Sequence, residues 1–146
     1  MGVVSLVAEI TKRWRASGLA PRPGVSEEQV RDFEERHRVR FPDDLKEYFR
    51  TVDGMDDGEW DEHLIRFWPL AKMRPVVAVL PELNRTAYDG YFVFADYSAW
   101  AHGYAVRMAA GGNEVAIVGG DDPIRIASSF GDFLRGYLQR SEALFR

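Results

Sequence analysis

The sequence predicts an α+β domain in which helices at both ends enclose an antiparallel β-sheet of about four to six strands. Residues 3–54 repeat their apolar side chains at helical spacing, residues 64–118 switch to short runs of Tyr, Phe, Val and Ile broken by Gly and Pro, and residues 130–138 return to a helical stripe. Helices grouped at the ends with strands between them favour an antiparallel sheet over alternating βαβ units. At 146 residues the chain fits one domain, 1–146, large enough to bury a core without disulfides.

Val3, Leu6, Val7, Ile10 and Trp14 share one face of a first helix expected over Val3 to Ser17. Pro21 and Pro23 make Gly18 to Gly24 a stiff connector. Ser26 with Gln29 three residues on forms a capping box, and Val25 and Val30 supply the hydrophobic staple that starts a second helix. Val30, Phe33 and His37 then give it a narrow inward stripe. Pro42 ends that helix and suits the start of a third, whose first turn carries Asp43 and Asp44 beside the positive end of the helix dipole. Leu45, Tyr48, Phe49 and Val52 continue that helix, with Gly54 as its stop.

Leu64 to Trp68 reads as a strand closed by Pro69, and Pro75 to Pro81 as either a strand or a short helix. Tyr91 to Asp96, Gly103 to Met108 and Glu114 to Val118 read as strands, with a hairpin turn at Ala109 to Asn113 and another turn at Gly119 to Pro123. Phe130, Phe133, Leu134, Tyr137 and Leu138 form the stripe of a last helix capped by Ser128 or Ser129. Leu45, Phe49, Phe133 and Leu134 are expected in the core.

The capped helix, Phe41-Pro-Asp-Asp-Leu-Lys-Glu-Tyr-Phe49, Gly54, the run Ile65 to Leu70, the strand Tyr91 to Asp96 and the closing segment Ile126 to Leu138 follow one another in an order that resembles the SUKH superfamily. That family includes the Smi/Knr-type fungal cell-wall regulators and many bacterial immunity proteins. The resemblance covers roughly residues 24–140. It implies a bacterial immunity protein that binds and neutralises a cognate toxin, often a nuclease, with a Smi/Knr-type regulatory scaffold as the alternative. Members often carry a Gly-Asp pair after the strand ending at Asp96, whereas this chain has Ser98-Ala-Trp-Ala-His102.

Composition narrows the chemistry. With no cysteine, the chain has no disulfide, no thiolate nucleophile and no cysteine-based metal site, consistent with a reducing compartment. The N-terminal stretch is an amphipathic helix rather than a signal peptide, and no run approaches the roughly 20 apolar residues of a membrane span. A cytoplasmic protein is expected. The three histidines lack the spacing of a metal-binding helix, and the glycine pairs at 111–112 and 119–120 lack the lysine of a phosphate-binding loop. There is no Gly-x-Ser-x-Gly elbow, and nothing among 23 acids singles out a catalytic pair. No enzyme, no cofactor and no metal is expected, and an uncharacterised enzyme working through carboxylates is the lesser alternative.

Charge is the more pointed signal. Residues 51–100 hold nine acids against four Lys or Arg, while residues 1–50 and 101–146 are nearly balanced. Asp53, Asp56, Asp57, Glu59, Asp61 and Glu62 are six acids in ten residues with no base among them. Such a run repels a phosphate backbone, so nucleic acid is not an expected partner. An EF-hand beginning at Asp53 fails, because Met55 and Leu64 stand where oxygen ligands are required. Two readings remain: a solvated loop, or a patch that attracts a basic protein through its acids and grips it through Trp60. Trp14 is expected in the core, Trp68 half-buried, and Trp60 and Trp100 more exposed. The candidate partner-binding residues are therefore Asp56, Asp57, Glu59, Trp60, Asp61 and Glu62, with Tyr97 and Trp100 as a second aromatic group.

Overall fold

A computed structural model describes residues 2–56, 58–83, 86–108 and 112–139. Helix α1 (Val3–Ala16) is followed by strand β1 (Pro21–Pro23), helices α2 (Glu27–His37) and α3 (Asp43–Thr51), and strands β2 (Val52–Met55) and β3 (Ile65–Phe67). Then come β4 (Arg74–Pro75), the single-turn helix α4 (Val76–Val79), β5 (Tyr91–Tyr97), β6 (His102–Arg107), β7 (Val115–Val118), β8 (Ile124–Ala127) and helix α5 (Phe130–Leu138). The fold is α+β, with one six-stranded and one two-stranded sheet.

Local chemistry decides the helix starts. The Ser26 hydroxyl accepts from the Gln29 backbone N–H at 3.1 Å, and the Gln29 side chain accepts from the Ser26 N–H at 2.9 Å, so the capping box forms. Val25 and Val30 are both buried. Arg38 closes α2 in the left-handed conformation, φ 54°. Pro42 precedes α3, and the Ser129 hydroxyl caps α5 by accepting from the Asp132 N–H.

Two expectations need correction. The third helix does not reach Val52 or stop at Gly54: it ends at Thr51, and Val52 enters an extended strand. Nor is the proline-rich connector only a spacer, because β1 within it pairs antiparallel with β2, Pro21 opposite Met55 and Pro23 opposite Val52. Proline suits such an edge strand because it needs no inward N–H. Gly54 takes φ 64°, and a Cβ there would lie 2.7 Å from the Phe67 and Trp68 carbonyl oxygens. The glycine thus lets β2 approach the end of β3. The segment from Pro75 resolves as both of its alternatives, a two-residue strand followed by one helical turn. Residues 109–111 of the expected hairpin turn lie outside the described residues.

The large sheet runs in the order β3-β5-β6-β7-β8, antiparallel throughout, with β3 and β4 lining one edge of β5 end to end. Alternation along β5 divides the core. Phe92 and Phe94 face a helix-side cluster with Leu6, Ile10, Trp14, Leu45, Phe49, Phe130, Phe133 and Leu134, while Val93 faces a smaller cluster with Trp68, Val76, Leu83, Tyr88 and Val118. The four expected core residues are wholly buried. No helix among the described residues is long and apolar enough to cross a membrane.

Candidate partner-binding site

The acidic run leaves β2 and enters β3, and the structure sorts its acids by burial. Asp53 is not a loop residue: it sits buried in β2, where Oδ1 accepts from the Leu70 N–H at 2.6 Å and Oδ2 lies 3.5 Å from Arg22 Nε. Asp61 is also buried. Its Oδ1 accepts from the backbone N–H groups of His63 (2.8 Å) and Ile65 (2.9 Å), and its Oδ2 accepts from the Tyr137 hydroxyl, which in turn accepts from Trp14 Nε1 at 2.9 Å. Burial raises the pKa of both carboxylates, against the pull of their hydrogen bonds. The reading of Asp61 as a surface acid is therefore corrected: it fastens the loop to α1 and α5. Asp56 and Glu62 stay exposed and Glu59 partly so. Arg22 reaches Asp56 at 2.8 Å, and Glu62 lies 3.5 Å from His63 Nε2. Asp57 lies outside the described residues.

Trp60 is partly exposed, and the Arg66 guanidinium stands 4.6 Å above its ring. Arg66 faces Asp96 across the β3–β5 ladder and donates to its Oδ2 from Nε at 3.1 Å and from Nη2 at 3.0 Å. Trp68 Nε1 donates to the same oxygen at 2.7 Å. Trp68 is fully buried rather than half-buried, because Trp100 packs edge-on against it at 5.5 Å and Lys72 lies 4.8 Å over its ring. Trp60, Arg66, Asp96, Trp68 and Trp100 thus form a continuous chain of contacts on the face of the sheet away from the long helices. Asp96 is wholly buried, and its Oδ1 has no hydrogen-bond partner among the described residues.

The two loops are neighbours: the Ser98 N–H donates to the Leu64 carbonyl at 2.9 Å. The turn from β5 to β6 carries three successive residues in the left-handed region, Ser98 (φ 49°), Ala99 (φ 53°) and Trp100 (φ 74°). None of the three is a glycine. The turn folds Trp100 onto Gly103, where a Cβ would come within 2.9 Å of the indole. Tyr97 does not join Trp100. It lies on the helix side of the sheet, stacked on His102 at 4.9 Å.

Residues 24–136 match the model of the SMI1 / KNR4 family (SUKH-1). The chain belongs to that family. No curated protein matches it. The SUKH-1 match spans α2 through most of α5 and leaves α1 outside, yet Trp14 of α1 supports the buried Tyr137–Asp61 link. Sequence reasoning missed Arg66 and Asp96 as parts of the site. Two signals were available: Arg66 and Trp68 stand two apart on a strand, hence on one face, and Asp96 is a lone acid closing an apolar strand. Among the described residues no three His, Cys, Asp or Glu side chains gather as a metal group.

Proposed function

We propose that this SUKH-1 domain is a non-catalytic protein-binding module, a bacterial immunity protein that neutralises a cognate toxin domain with a basic working surface. One observation supports the reading most: Asp56, Glu59 and Glu62 flank a partly exposed Trp60 held in place by Arg66, with Trp100 on the neighbouring turn. Aromatic anchors held rigid before contact lose little entropy on binding, and carboxylates around them raise the encounter rate with a basic partner. Asp61 and Tyr97 fall outside this surface; Asp61 sets the loop's position, and Tyr97 belongs to the opposite face.

The test begins with the gene neighbourhood: a toxin domain found encoded there is co-expressed with this chain. Wild-type chain is expected to restore growth and to copurify with the toxin, while Trp60→Ala weakens both without lowering the melting temperature. Full protection by a Trp60→Ala, Trp100→Ala double variant that remains folded would place the interface elsewhere. Absence of any protection by the wild type removes the immunity reading itself.

A further inference from the structure

A second surface, far less acidic, lies where α2 ends against the segment that crosses from β4 to β5. A cleft of about 290 Å³ opens there. Its floor is apolar, built from Val39, Pro75, Val76, Leu83 and Phe92, and His37 stands in its wall. His37 packs against Phe33 at 4.3 Å and edge-on against Phe92 at 5.4 Å. Its ring nitrogens have no hydrogen-bond partner among the described residues, and burial lowers its pKa, so the ring is neutral at pH 7. A neutral imidazole at the wall of a cleft offers one donor and one acceptor.

The charged residues that adjoin the cleft lining in sequence are mostly basic, unlike those of the Trp60 loop, while Asp89 is the charged residue of the lining itself. Arg38 and Arg40 flank His37 and Val39 in sequence, and Arg74 precedes Pro75 and pairs across to Val93. All three arginines are exposed and make no ion pair among the described residues. This distinguishes them from Arg22, Arg66 and Arg107, each of which meets a carboxylate. Asp89 in the lining and Glu82 beside Leu83 are the nearby acids in the crossing segment. Unpaired guanidinium groups recognise carboxylates as planar, two-pronged donors.

We propose that this cleft docks an acidic peptide segment of a partner protein, which seats one aliphatic or aromatic side chain on Val39, Val76 and Phe92 and lays its carboxylates along Arg38, Arg40 and Arg74. The size argues for a side chain rather than a free metabolite, since about 290 Å³ lies at or below the lower end of small-molecule sites. Tyr88, Tyr91 and Phe92 in the lining are themselves buried, which leaves little open ring surface for the stacked bases on which nucleic-acid binding relies beside its phosphate contacts. The site is separate from the Trp60 surface, so the domain is able to hold two partners of opposite charge, or two parts of one.

The experiment titrates the isotope-labelled full chain with a short peptide that carries Leu-Phe between flanking Asp and Glu residues, followed by NMR. Shifts are expected at the His37 ring and at the methyl groups of Val39, Val76 and Val77. Affinity should fall about tenfold or more in the charge-reversed variant Arg38→Glu, Arg40→Glu, and also at high salt. The variant Arg38→Lys, Arg40→Lys, which keeps the charge and loses the two-pronged geometry, should weaken binding less than the charge reversal, and Trp60→Ala retains it. A control peptide with Ser-Ser in place of Leu-Phe is expected to bind at least about tenfold more weakly, through loss of the buried side chain. Shifts that map away from His37 and Val76 overturn the proposal, as does equal binding of the Ser-Ser peptide. Tighter binding of a single-stranded oligonucleotide at the same residues assigns the cleft to nucleic acid instead. Concentration-dependent shifts there in the protein alone assign it to a second copy of the chain.

Discussion

Asp61 shows how one buried carboxylate shapes both stability and surface. Three donors converge on it, from His63, Ile65 and Tyr137, so Asp61→Ala leaves buried donors unpaired and should destabilise the fold by roughly 3 kcal/mol or more, at about 1–3 kcal/mol per abandoned group. Because burial raises its native pKa above the usual value of 3.8, the folded state holds a proton more readily than the unfolded chain. The proton-linked part of Asp61's contribution is therefore fully present below about pH 3.8 and is lost as pH rises through the native pKa. Urea melts of wild type and Asp61→Asn at about pH 4 and pH 7 check this: the advantage of the wild type should be larger at the acid end. Tyr48 makes the opposite case. Its hydroxyl is buried with no partner among the described residues, and Tyr48→Phe should stabilise by about 1 kcal/mol by removing an unmet polar group. A loss of similar size would reveal a hidden partner. Phe49, wholly buried among Phe41 and Tyr48, should cost about 3 to 5 kcal/mol when cut to Ala.

Among the elements, legibility follows the distance over which each is decided. The α2 cap was readable because Ser26 and Gln29 settle it within three residues, and α5 because one stripe of large apolar groups repeats without interruption. Strand β2 was not readable: Val52 continues the helical spacing of α3, and only pairing with β1, some 30 residues earlier, turns it extended. The fate of Asp61 was hidden for the same reason, since its partner Tyr137 lies 76 residues away. The turn at Ser98 to Trp100 was visible as a departure from the family pattern, but not as strain. Left-handed geometry costs an L-residue roughly 1–2 kcal/mol, and Gly in its place is favoured less some unfolded-state entropy. Ala99→Gly should therefore stabilise the domain by about 0.5–1 kcal/mol in denaturant melts. Destabilisation would mean that the methyl group makes contacts that outweigh the strain.

At the scale of the whole molecule, the sheet gives the domain two unlike faces. One carries the large aromatic core beneath α1, α3 and α5, and the other places Trp60, Arg66 and Trp100 around a buried carboxylate. On the proposed function, that arrangement separates what would bring a partner in from what would hold it. In the proposed binding role Asp56, Glu59 and Glu62 act at a distance, so Asp56→Asn, Glu59→Gln and Glu62→Gln together should slow association with a basic toxin domain. The loss should be largest near 0.01 M salt, where the Debye length is about 30 Å, and mostly gone near 1 M, where it is about 3 Å. Trp60, as the proposed anchor, acts only after contact, and Trp60→Ala should raise the dissociation rate about 30-fold while leaving association nearly unchanged, as expected for an anchor contributing about 2 kcal/mol. Stopped-flow association and surface-based dissociation measurements with the cognate toxin domain, once identified, separate the two. If the acid variant changed dissociation and not association, the carboxylates would be contacts rather than guides, and the basic character assigned to the partner would lose its support.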